Sequence, residues 1–392
     1  MNTNWRYRKI GDVCLVERGG SPRPIYKYIT DAPNGVNWIK IGDTNDSMFI
    51  TETAQKIISE GMKKSRYVKP GDFLLSNSMS FGRPYILKID GCIHDGWLVL
   101  RDKEKIFDKR FLYYYLSAKP TYQRFKQMAV GGVVNNLNSE MVRKVDVPVP
   151  SMTEQILIAD LLDKVHQIIA KRKQELQKLD ELVKARFVEM FGDPATNPLG
   201  WTETTVGKEC YYIKDGPHKS LPDIGKESGG HPFISVRNIV NHVIDFSTAK
   251  YVSDEDYAEA RKKCRPEKGD MLYSKGGTTG IAKLIDVDIE FANWVHLAVL
   301  KFDHNLLDGI YFENMLNSDY CYDQSQRLTK GIANRDLVLS AMAQIKMYRP
   351  PIELQKQFAD FVKQVDKSKV AVKAALEQAQ TLFDSLMQKY FG

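Results

Sequence analysis

The sequence predicts an α+β protein in which two similar domains alternate with two long helices. Three observations support this prediction. The chain of 392 residues is too long for one ordinary domain, its second half repeats motifs of the first in the same order, and each half closes with a long stretch that lacks glycine and proline. We expect each domain to consist of short twisted β-sheets with a few helices.

The internal repeat begins near the first residue. Four residues recur 196 positions later, namely Trp5, Ile10, Gly11 and Cys14 as Trp201, Val206, Gly207 and Cys210. The Pro-Gly-Asp at residues 70–72 matches Lys-Gly-Asp at 268–270. The glycine segment 132–135 matches residues 331–334. Matches in one shared order indicate a duplicated unit.

Each half ends in a predicted long helix that follows a proline, Pro150 or Pro351, where an extended segment stops. Heptad spacing selects an apolar seam in both helices: Ile158, Leu162, Val165, Ile169, Leu176, Leu179 and Val183, then Phe358, Val362, Val365, Val372, Leu376, Phe383 and Leu386. Seams of equal length predict an antiparallel coiled coil that relates the halves by a pseudo-twofold axis. The alternative is two amphipathic helices that each pack on their own domain.

Three charged residues, Arg172, Arg186 and Lys369, interrupt these seams. Such side chains can fix the helix register, pair with carboxylates across the coil, or cover the seam with their stems while the charge reaches water. The last interpretation is the one we favour from the sequence.

The pattern divides the chain into four segments: a first domain at 1–150, a first long spacer helix at 151–192, a second domain at 193–350 and a second long spacer helix at 351–392. A helix of about 37 residues with a rise of roughly 1.5 Å per residue covers on the order of 55 Å. We therefore expect the helices to hold the two domains apart.

Charge is distributed unevenly between the two domains. Residues 1–150 contain 24 Lys and Arg against 15 Asp and Glu, whereas residues 193–350 contain 19 against 22. A basic surface attracts polyanions such as nucleic acid, so the first domain favours a nucleic-acid partner more than the second does.

Several classes of protein are disfavoured by the sequence. The five cysteines include no Cys-x-x-Cys pair, which argues against a zinc knuckle and a disulfide framework. No apolar run is long enough to span a membrane, and residues 1–10 do not form a secretory signal, so we expect a cytoplasmic protein. We find no P-loop, no dinucleotide fingerprint, no Glu-x-Lys nuclease motif and no Asp/Asn-Pro-Pro-aromatic methyltransferase loop. The sequence therefore predicts a chain without catalytic, metal or cofactor sites.

Taken with the duplicated domains, the motifs Gly19-Gly20-Ser21-Pro22, Lys-Pro-Gly-Asp at 69–72 and Glu-Lys-Gly-Asp at 267–270 resemble the specificity subunit of type I restriction-modification systems. The second half departs where residues 214–217 replace the Gly-Gly-Ser-Pro turn. The resemblance implies a non-catalytic subunit that binds a bipartite, asymmetric target in double-stranded DNA. It also implies two adenine methyltransferase partners that hold S-adenosylmethionine, to which restriction and translocase subunits can add in phage defence.

Three loops in each half carry side chains suited to DNA. Hydroxyl, amide and cationic groups contact phosphates and base edges, and Asn and Arg can bind adenine and guanine through two hydrogen bonds. The candidates after the Gly-Asp strands are Ser76, Asn77, Ser78, Arg83, Ser274, Lys275, Thr278 and Thr279. The glycine segments contribute Asn135, Asn136, Lys330, Asn334 and Arg335, and the early loops Arg23, His218 and Lys219. The alternative for any one of them is ordinary turn chemistry.

Two other functions remain open at this point. The acidic second domain also fits a coiled-coil scaffold whose domains bind protein partners. A self-contained DNA-modifying enzyme is the third possibility. Salt-sensitive retention on duplex DNA would separate the first from the second, and methylation without added subunits would reveal the third.

Overall fold

The computed structural model describes residues 5–78, 82–129, 136–331 and 335–392. The chain forms two compact units, one from residues 1–173 with 373–392 and the other from residues 174–372. Each unit thus contains one domain, the first half of the long helix that follows it, and the last part of the other long helix. The sequence repeat therefore corresponds to two units that are built from equivalent structural elements.

The first domain consists of small sheets and short helices. Its strands are β1 (Tyr7–Lys9), β2 (Cys14–Arg18), β3 (Ile29–Thr30), β4 (Val36–Ile39), β5 (Phe49–Ile50), β6 (Lys56–Ile57), β7 (Arg66–Val68), β8 (Phe73–Ser76), β9 (Pro84–Leu87), β10 (Gly91–Ile93), β11 (Trp97–Asp102) and β12 (Asp146–Pro148). Its helices are α1 (Ile10–Val13), α2 (Ser59–Met62), α3 (Lys109–Ser117), α4 (Lys119–Ala129) and α5 (Ser139–Arg143).

The long helix α6 (Met152–Phe191) leads to the second domain. The strands there are β13 (Thr202–Thr205), β14 (Cys210–Asp215), β15 (His231–Ile234), β16 (Lys250–Val252), β17 (Met271–Ser274), β18 (Ala282–Leu284), β19 (Ala292–Asn293), β20 (Leu297–Phe302) and β21 (Lys346–Arg349). The helices are α7 (Val206–Glu209), α8 (Asp254–Lys263), α9 (Gly309–Leu316), α10 (Asp319–Leu328), α11 (Leu339–Met342) and the second long helix, α12 (Ile352–Phe391).

The sheets of the two domains share a common core of strand neighbours. The first has sheets of order β2-β11-β8-β9-β5 and β3-β6-β4-β10-β7, and the second has β14-β20-β17-β18 and β16-β15-β19. The order β2-β11-β8-β9 corresponds to β14-β20-β17-β18, and β6-β4-β10 corresponds to β16-β15-β19, while the first domain adds β3, β5 and β7 at the sheet edges. In both, the first and last strands of the domain pair antiparallel, as β1 with β12 and β13 with β21, immediately before the long helix. The predicted α+β class is confirmed.

The long helices pair antiparallel within each unit. In the first unit the rings of His166 and Phe383 lie 6.1 Å apart, and Ile158 and Leu162 share an apolar cluster with Leu386 and Phe391. In the second unit Phe358 contacts Phe187 and Phe191, with 5.5 Å between ring centroids in each case. Later residues of α12 meet earlier residues of α6, as an antiparallel pair requires.

All fourteen predicted seam residues lie inward. Nine are buried and five are half-buried, the latter being Leu176, Leu179, Leu376, Phe383 and Leu386. Burial of a side chain of this size contributes about 1.5–3 kcal/mol, so the seam is a substantial source of helix pairing.

Lys369 differs from the interpretation that the sequence favoured. Its ammonium pairs with Asp180 on the other helix at 2.8 Å and with Asp366 at 3.3 Å, and its side chain is 20% exposed. Lys369 therefore pairs across the coil instead of only extending to water, and this contact selects one register of the two helices. Arg186 pairs with Glu189 on its own helix and lies over the Phe361 ring.

A buried glutamine joins each long helix to its domain. Gln155 is fully buried, and its amide donates to the carbonyl oxygens of Ile106 at 2.8 Å and Pro150 at 3.0 Å. Its Oε1 accepts from the backbone N–H of Asp108 at 3.0 Å. The Asp108 side chain in turn caps α3 by accepting from the N–H groups of Arg110 and Phe111. One side chain thus satisfies three buried backbone groups.

The second unit contains the same arrangement. Gln355, also fully buried, donates to the carbonyls of Leu306 and Pro350 and accepts from the N–H of Asp308 at 2.8 Å. Both glutamines follow the prolines that precede the helices, in Glu154-Gln155 after Pro150 and in Leu354-Gln355 after Pro351, so the repeated glutamine has a structural cause. The orientation of each helix at its start is set by hydrogen bonds to the domain core.

Replacing Gln155 with leucine should lower the free energy of unfolding by about 1–3 kcal/mol, because three buried backbone groups lose their partner while the volume is nearly kept. Gln355→Leu should have an effect of the same size. Denaturant unfolding followed by circular dichroism measures both. Gln177→Leu is the matched control, since Gln177 lies exposed on the same helix and bonds only to Glu181. Equal stabilities of all three variants would contradict this account.

Candidate nucleic-acid interface

The loops predicted to contact DNA converge in the second domain. The backbone N–H of Lys275 donates to the carbonyl of His296 at 2.8 Å, and its carbonyl accepts from Leu337 at 2.7 Å. The N–H of Gly277 donates to Arg335 at 3.1 Å. The loop after β17 therefore lies between the turn that precedes β20 and the glycine segment.

The first domain has the same backbone geometry. The N–H of Asn77 donates to Gly96 at 2.9 Å, and the Asn77 carbonyl accepts from Leu137 at 2.9 Å. Asn136 therefore lies beside the loop that follows β8. Asn135 and Asn334 fall outside the described residues.

The early loop packs against the same turn in each domain. A Cβ on Gly19 would lie 2.1 Å from the His94 carbonyl oxygen, and one on Gly216 would lie 1.8 Å from that of Asn293. Only glycine permits so close an approach of two backbones. The described parts of the three predicted loops of a domain thus meet at one edge, next to the turn 94–96 in the first domain and 294–296 in the second.

Five of the predicted side chains point inward and hold these loops in shape. Ser76, Asn77, Ser274, Lys275 and Thr279 are at most 5% exposed. The hydroxyl of Ser76 accepts from the N–H of Arg83 at 2.9 Å, and that of Ser274 accepts from Ile281 at 2.8 Å. These groups close the ends of the loops, so the expectation that their side chains contact DNA does not fit this conformation.

A network of ion pairs around the buried Lys275 ammonium holds the three loops of the second domain together. The Lys275 ammonium lies 2.8 Å from Asp336 and 3.6 Å from Asp215, so it joins the strand loop to the glycine segment and to the early loop. Lys263 of α8 adds a contact to Asp215 at 2.9 Å and donates to the Gly216 carbonyl. The carboxylates of Asp336 and Asp215 were not among the predicted residues, because they bear no sequence motif and are recognisable only through this contact.

Asp95 has the corresponding role in the first domain. It accepts from the Ser21 hydroxyl at 2.8 Å and lies 3.5 Å from the Arg23 guanidinium, while its carbonyl accepts from the Asn77 amide at 2.9 Å. Burial would raise the pKa of Asp95, but the Ser21 hydrogen bond and the neighbouring His94 and Arg18 lower it below its ordinary value in sum. Asp95 therefore remains ionised and organises the early loop. A turn of His-Asp-Gly before a strand is the signal that could have revealed it.

The remaining candidates can reach a ligand. Those with exposed side chains are Arg23, Arg83, His218, Lys219, Thr278, Lys330 and Arg335, and those half-buried are Ser78 and Asn136. Lys219 lies 4.0 Å from Asp256, and Arg335 donates to Gln326, whose amide is bound to the Thr279 carbonyl at 3.0 Å. Both edges thus present cations on a backbone that is fixed from within.

The described part of the chain contains no cluster of three or more His, Cys, Asp or Glu residues that could hold a metal ion. Among those same residues, no helix is both long and apolar enough to cross a membrane.

Comparison with known proteins identifies the family of this chain. The model of the "Type I restriction modification DNA specificity domain" matches residues 2–181 and 215–379. The chain belongs to this family. The match falls on both halves, as the internal repeat predicts.

Individual relatives agree with this assignment. The type I restriction enzyme MjaIX specificity subunit of Methanocaldococcus jannaschii is 22% identical over 328 residues, which is 79% of this chain and 74% of the relative. The MjaVIII specificity subunit of the same organism is 20% identical over 93% of this chain and 86% of its own length. The recognition made from the sequence is confirmed, as is the prediction of a specificity subunit without catalytic function.

A solved structure confirms the fold. The S subunit of a type I restriction-modification system from M. genitalium superposes with a TM-score of 0.60 at 17% identity, over 100% of this chain and 97% of the other.

Inward and outward lysines of the second domain should behave differently on substitution. Lys275→Met should lower the free energy of unfolding by about 1–3 kcal/mol, because Asp336 and Asp215 lose their shared cation. Lys330→Gln should leave stability within about 0.5 kcal/mol but weaken DNA binding and reduce the slope of log affinity against log salt by about one. Denaturant unfolding and fluorescence anisotropy on duplex DNA measure the two effects.

The matched control is Lys268→Gln, since Lys268 lies before β17 at the end opposite the loop and pairs with Asp288. Lys268→Gln should change neither the free energy of unfolding nor the affinity for DNA and its dependence on salt. A Lys330 variant with unaltered salt dependence would show that this edge does not contact phosphate.

Proposed function

We propose that this family member recognises a bipartite, asymmetric target in double-stranded DNA, with one part bound by each domain. The observation that carries the proposal is the repeated convergence of three loops at one edge of each domain. Hydrogen bonds from within fix the loop backbone, so the exposed Arg, Lys and Thr side chains and the half-buried Asn136 are held for phosphates and base edges. Such an arrangement binds without first paying the full entropy of ordering its loops.

The asymmetry of the target follows from differences between equivalent positions. Asn77 of the first domain corresponds to Lys275 of the second, because their backbone N–H groups donate to equivalent carbonyls. Arg18 corresponds to Asp215, because Arg18 pairs with Leu98 in the sheet as Asp215 pairs with Ala298. The charge of the domains also differs in sign. Two domains with one fold and different edge chemistry favour two different half-sites. The basic first domain should carry more of the salt-dependent affinity.

We infer that the chain also recruits two adenine methyltransferase subunits, which hold S-adenosylmethionine, and restriction or translocase subunits, all in the cytoplasm where DNA is accessible. Family membership supports this. The long helices offer surfaces for such partners: Leu157, Leu161 and Ile168 of α6 are 65%, 37% and 46% exposed and share one helix face. The polar residues Lys171, Lys173, Gln174 and Lys178 farther along α6 are also exposed. An apolar stripe with a polar flank is typical of protein interfaces.

Exchanging residues 1–150 for the first domain of another specificity subunit should change one half of the selected DNA sequence and leave the other half as it was. The reason is that each loop edge is built from residues of one domain alone. Sequencing of random duplex DNA retained by the chain with its methyltransferase partner measures this. A change in both halves would contradict independent domains, and no retention on any duplex would favour protein-binding domains instead.

Deleting one heptad from each long helix, residues 171–177 and 372–378, should shorten the distance between the two half-sites. Seven residues correspond to roughly 10 Å of helix, which is about three base pairs at a rise of roughly 3.4 Å. The same selection experiment gives the spacing, and the half-sites themselves should not change.

A matched control for the deletion replaces those residues by a different heptad with the same apolar positions, which should preserve the original spacing. Selected sites that keep that spacing after the deletion would show that helix length does not determine it.

A further inference from the structure

A small cavity of about 200 Å³ opens in the second domain beside the candidate DNA edge. Its walls come from the early loop, from β15 and the turn after it, from the start of β16, and from the turn before β20. The lining residues are Ser220, Leu221, Phe233, Ser235, Arg237, Lys250 and Trp294. This volume is below the roughly 300–1,000 Å³ of sites for drug-sized ligands, so it fits one small planar group.

Two aromatic rings contribute to the walls. Phe233 is 5% exposed and fixed in β15, and Trp294 stacks on His296 with ring centroids 4.6 Å apart and an angle of 29° between planes. The stacking partner holds the indole in place. Rings of this kind bind the faces of nucleobases, and the nearby Ser220 hydroxyl can bond to a base edge. The Ser235 hydroxyl instead caps the turn that carries Arg237.

Two cations complete the lining, which includes no acidic residue. The Arg237 guanidinium donates to the Thr248 carbonyl at 2.7 Å, which restrains it. Neither Arg237 nor Lys250 takes part in an ion pair within the described ranges. The carboxylate that influences both is Asp223, whose Oδ1 already accepts from the backbone of Tyr251 at 3.0 Å and Gly225 at 3.1 Å. Asp223 offsets part of the charge of the two cations, and one net positive charge remains beside the aromatic walls for an anion.

The first domain does not reproduce this chemistry at the equivalent positions. Matched strand pairing places Trp38 where Phe233 stands, and matched hydrogen bonds place His94 where Trp294 stands. Gly42 replaces Arg237, since both occupy the second position of a 3₁₀ turn with the same capping pattern. Trp38 is larger than phenylalanine and only 1% exposed. The combination of aromatic walls and a guanidinium is therefore specific to the second domain.

We propose that this cavity binds the base of a single nucleotide against Phe233 and Trp294, while the sugar and phosphate lie at its mouth beside Arg237 and Lys250. The site adjoins the DNA edge, because Ser220 and Leu221 directly follow His218 and Lys219, and because Trp294 belongs to the turn that holds the Lys275 loop. The nucleotide is either one extruded from bound DNA or a free mononucleotide. Only the first of these sources rests on the proposed function. Extruded bases are held in other proteins by the same combination of stacking and edge contacts.

Calorimetric titration of the full chain with the four deoxynucleoside monophosphates and the matching nucleosides tests the site without DNA. At least one nucleotide should bind at sub-millimolar concentration and more tightly than its nucleoside. Arg237→Gln should remove the difference between nucleotide and nucleoside, and Trp294→Leu should weaken both by roughly tenfold. Arg265→Gln, an exposed cation of the same domain outside the cavity lining, should bind like the unaltered chain. Thermal melting identifies a variant that fails to fold. If Trp294→Leu does not fold, Arg237→Gln still tests the site, because Arg237 is exposed and its replacement should not disturb folding.

Photocrosslinking distinguishes the two sources. Selected target duplexes that carry a halogenated base at successive positions, 5-iodo for each pyrimidine and 8-bromo for each purine, should form an adduct with Trp294, located by mass spectrometry, if the base comes from DNA. Nucleotide binding without any such adduct would assign the cavity to a free mononucleotide.

If no nucleotide binds in solution and no adduct forms, the proposal is wrong. Retention of the duplex by the same preparation would then show that DNA recognition itself is intact. Nucleotide binding that is unaffected by both Arg237→Gln and a folded Trp294→Leu would also overturn it.

Discussion

The hydrogen bonds of Gln155 and Gln355 are the constraint on which the rest of each unit depends. A helix packed only through apolar contacts can rotate or slide with little loss, because dispersion and hydrophobic contacts are weakly directional. A buried carboxamide that satisfies three backbone groups has one orientation in which all three bonds form, and burial makes any other orientation costly. The start of each long helix is therefore fixed on its domain, and the seam residues that follow are aligned from that point. Lys369 and Asp180 add a second directional contact farther along, inside the second unit.

The loop edges obey the same principle on a smaller scale. Backbone hydrogen bonds at Asn77 and Lys275, together with serine hydroxyls that close each loop, determine where the exposed side chains stand. Polar residues of these loops thus divide into two groups: some hold the backbone, and others project from it. Because the backbone pattern is shared while the projecting residues differ, the duplication can supply two recognition surfaces without a second fold. The second domain uses the Lys275 ion network where the first uses Asp95, so the two edges are stabilised independently.

Sequence information was sufficient for the features that depend on local periodicity and on the repeat. Heptad spacing identified seam residues such as Leu162 and Phe358, which are fully buried, because a helix converts spacing directly into a face. It was insufficient for the loops. Ser274 and Thr278 look alike as loop residues, yet one is buried and the other exposed, since that distinction depends on strands far away in the chain. Asp336 and Asp215 carried no motif, and their role appears only once Lys275 is placed between them. Lys369 was misjudged for the same reason, because its partner lies on the other helix.

Comparison of the two domains shows where their functions can diverge. Positions within the strands keep the same kind of residue, as Ile39 and Ile234 do, because the core on both sides restricts their volume. Positions that follow the strands do not have that restriction, and there Gly42 and His94 are exchanged for Arg237 and Trp294. The exchange of Trp38 for Phe233 reduces the volume of one buried ring, and the cavity of about 200 Å³ lies against the smaller ring. One smaller side chain in a strand, Phe233, is therefore sufficient to leave space for a cavity. Arg237 and Trp294 in the adjoining turns give this cavity a cation and an aromatic wall, while the backbone keeps the same pattern. Duplication followed by substitutions at strand ends is therefore a physically simple way for one domain to acquire a ligand that its counterpart does not bind.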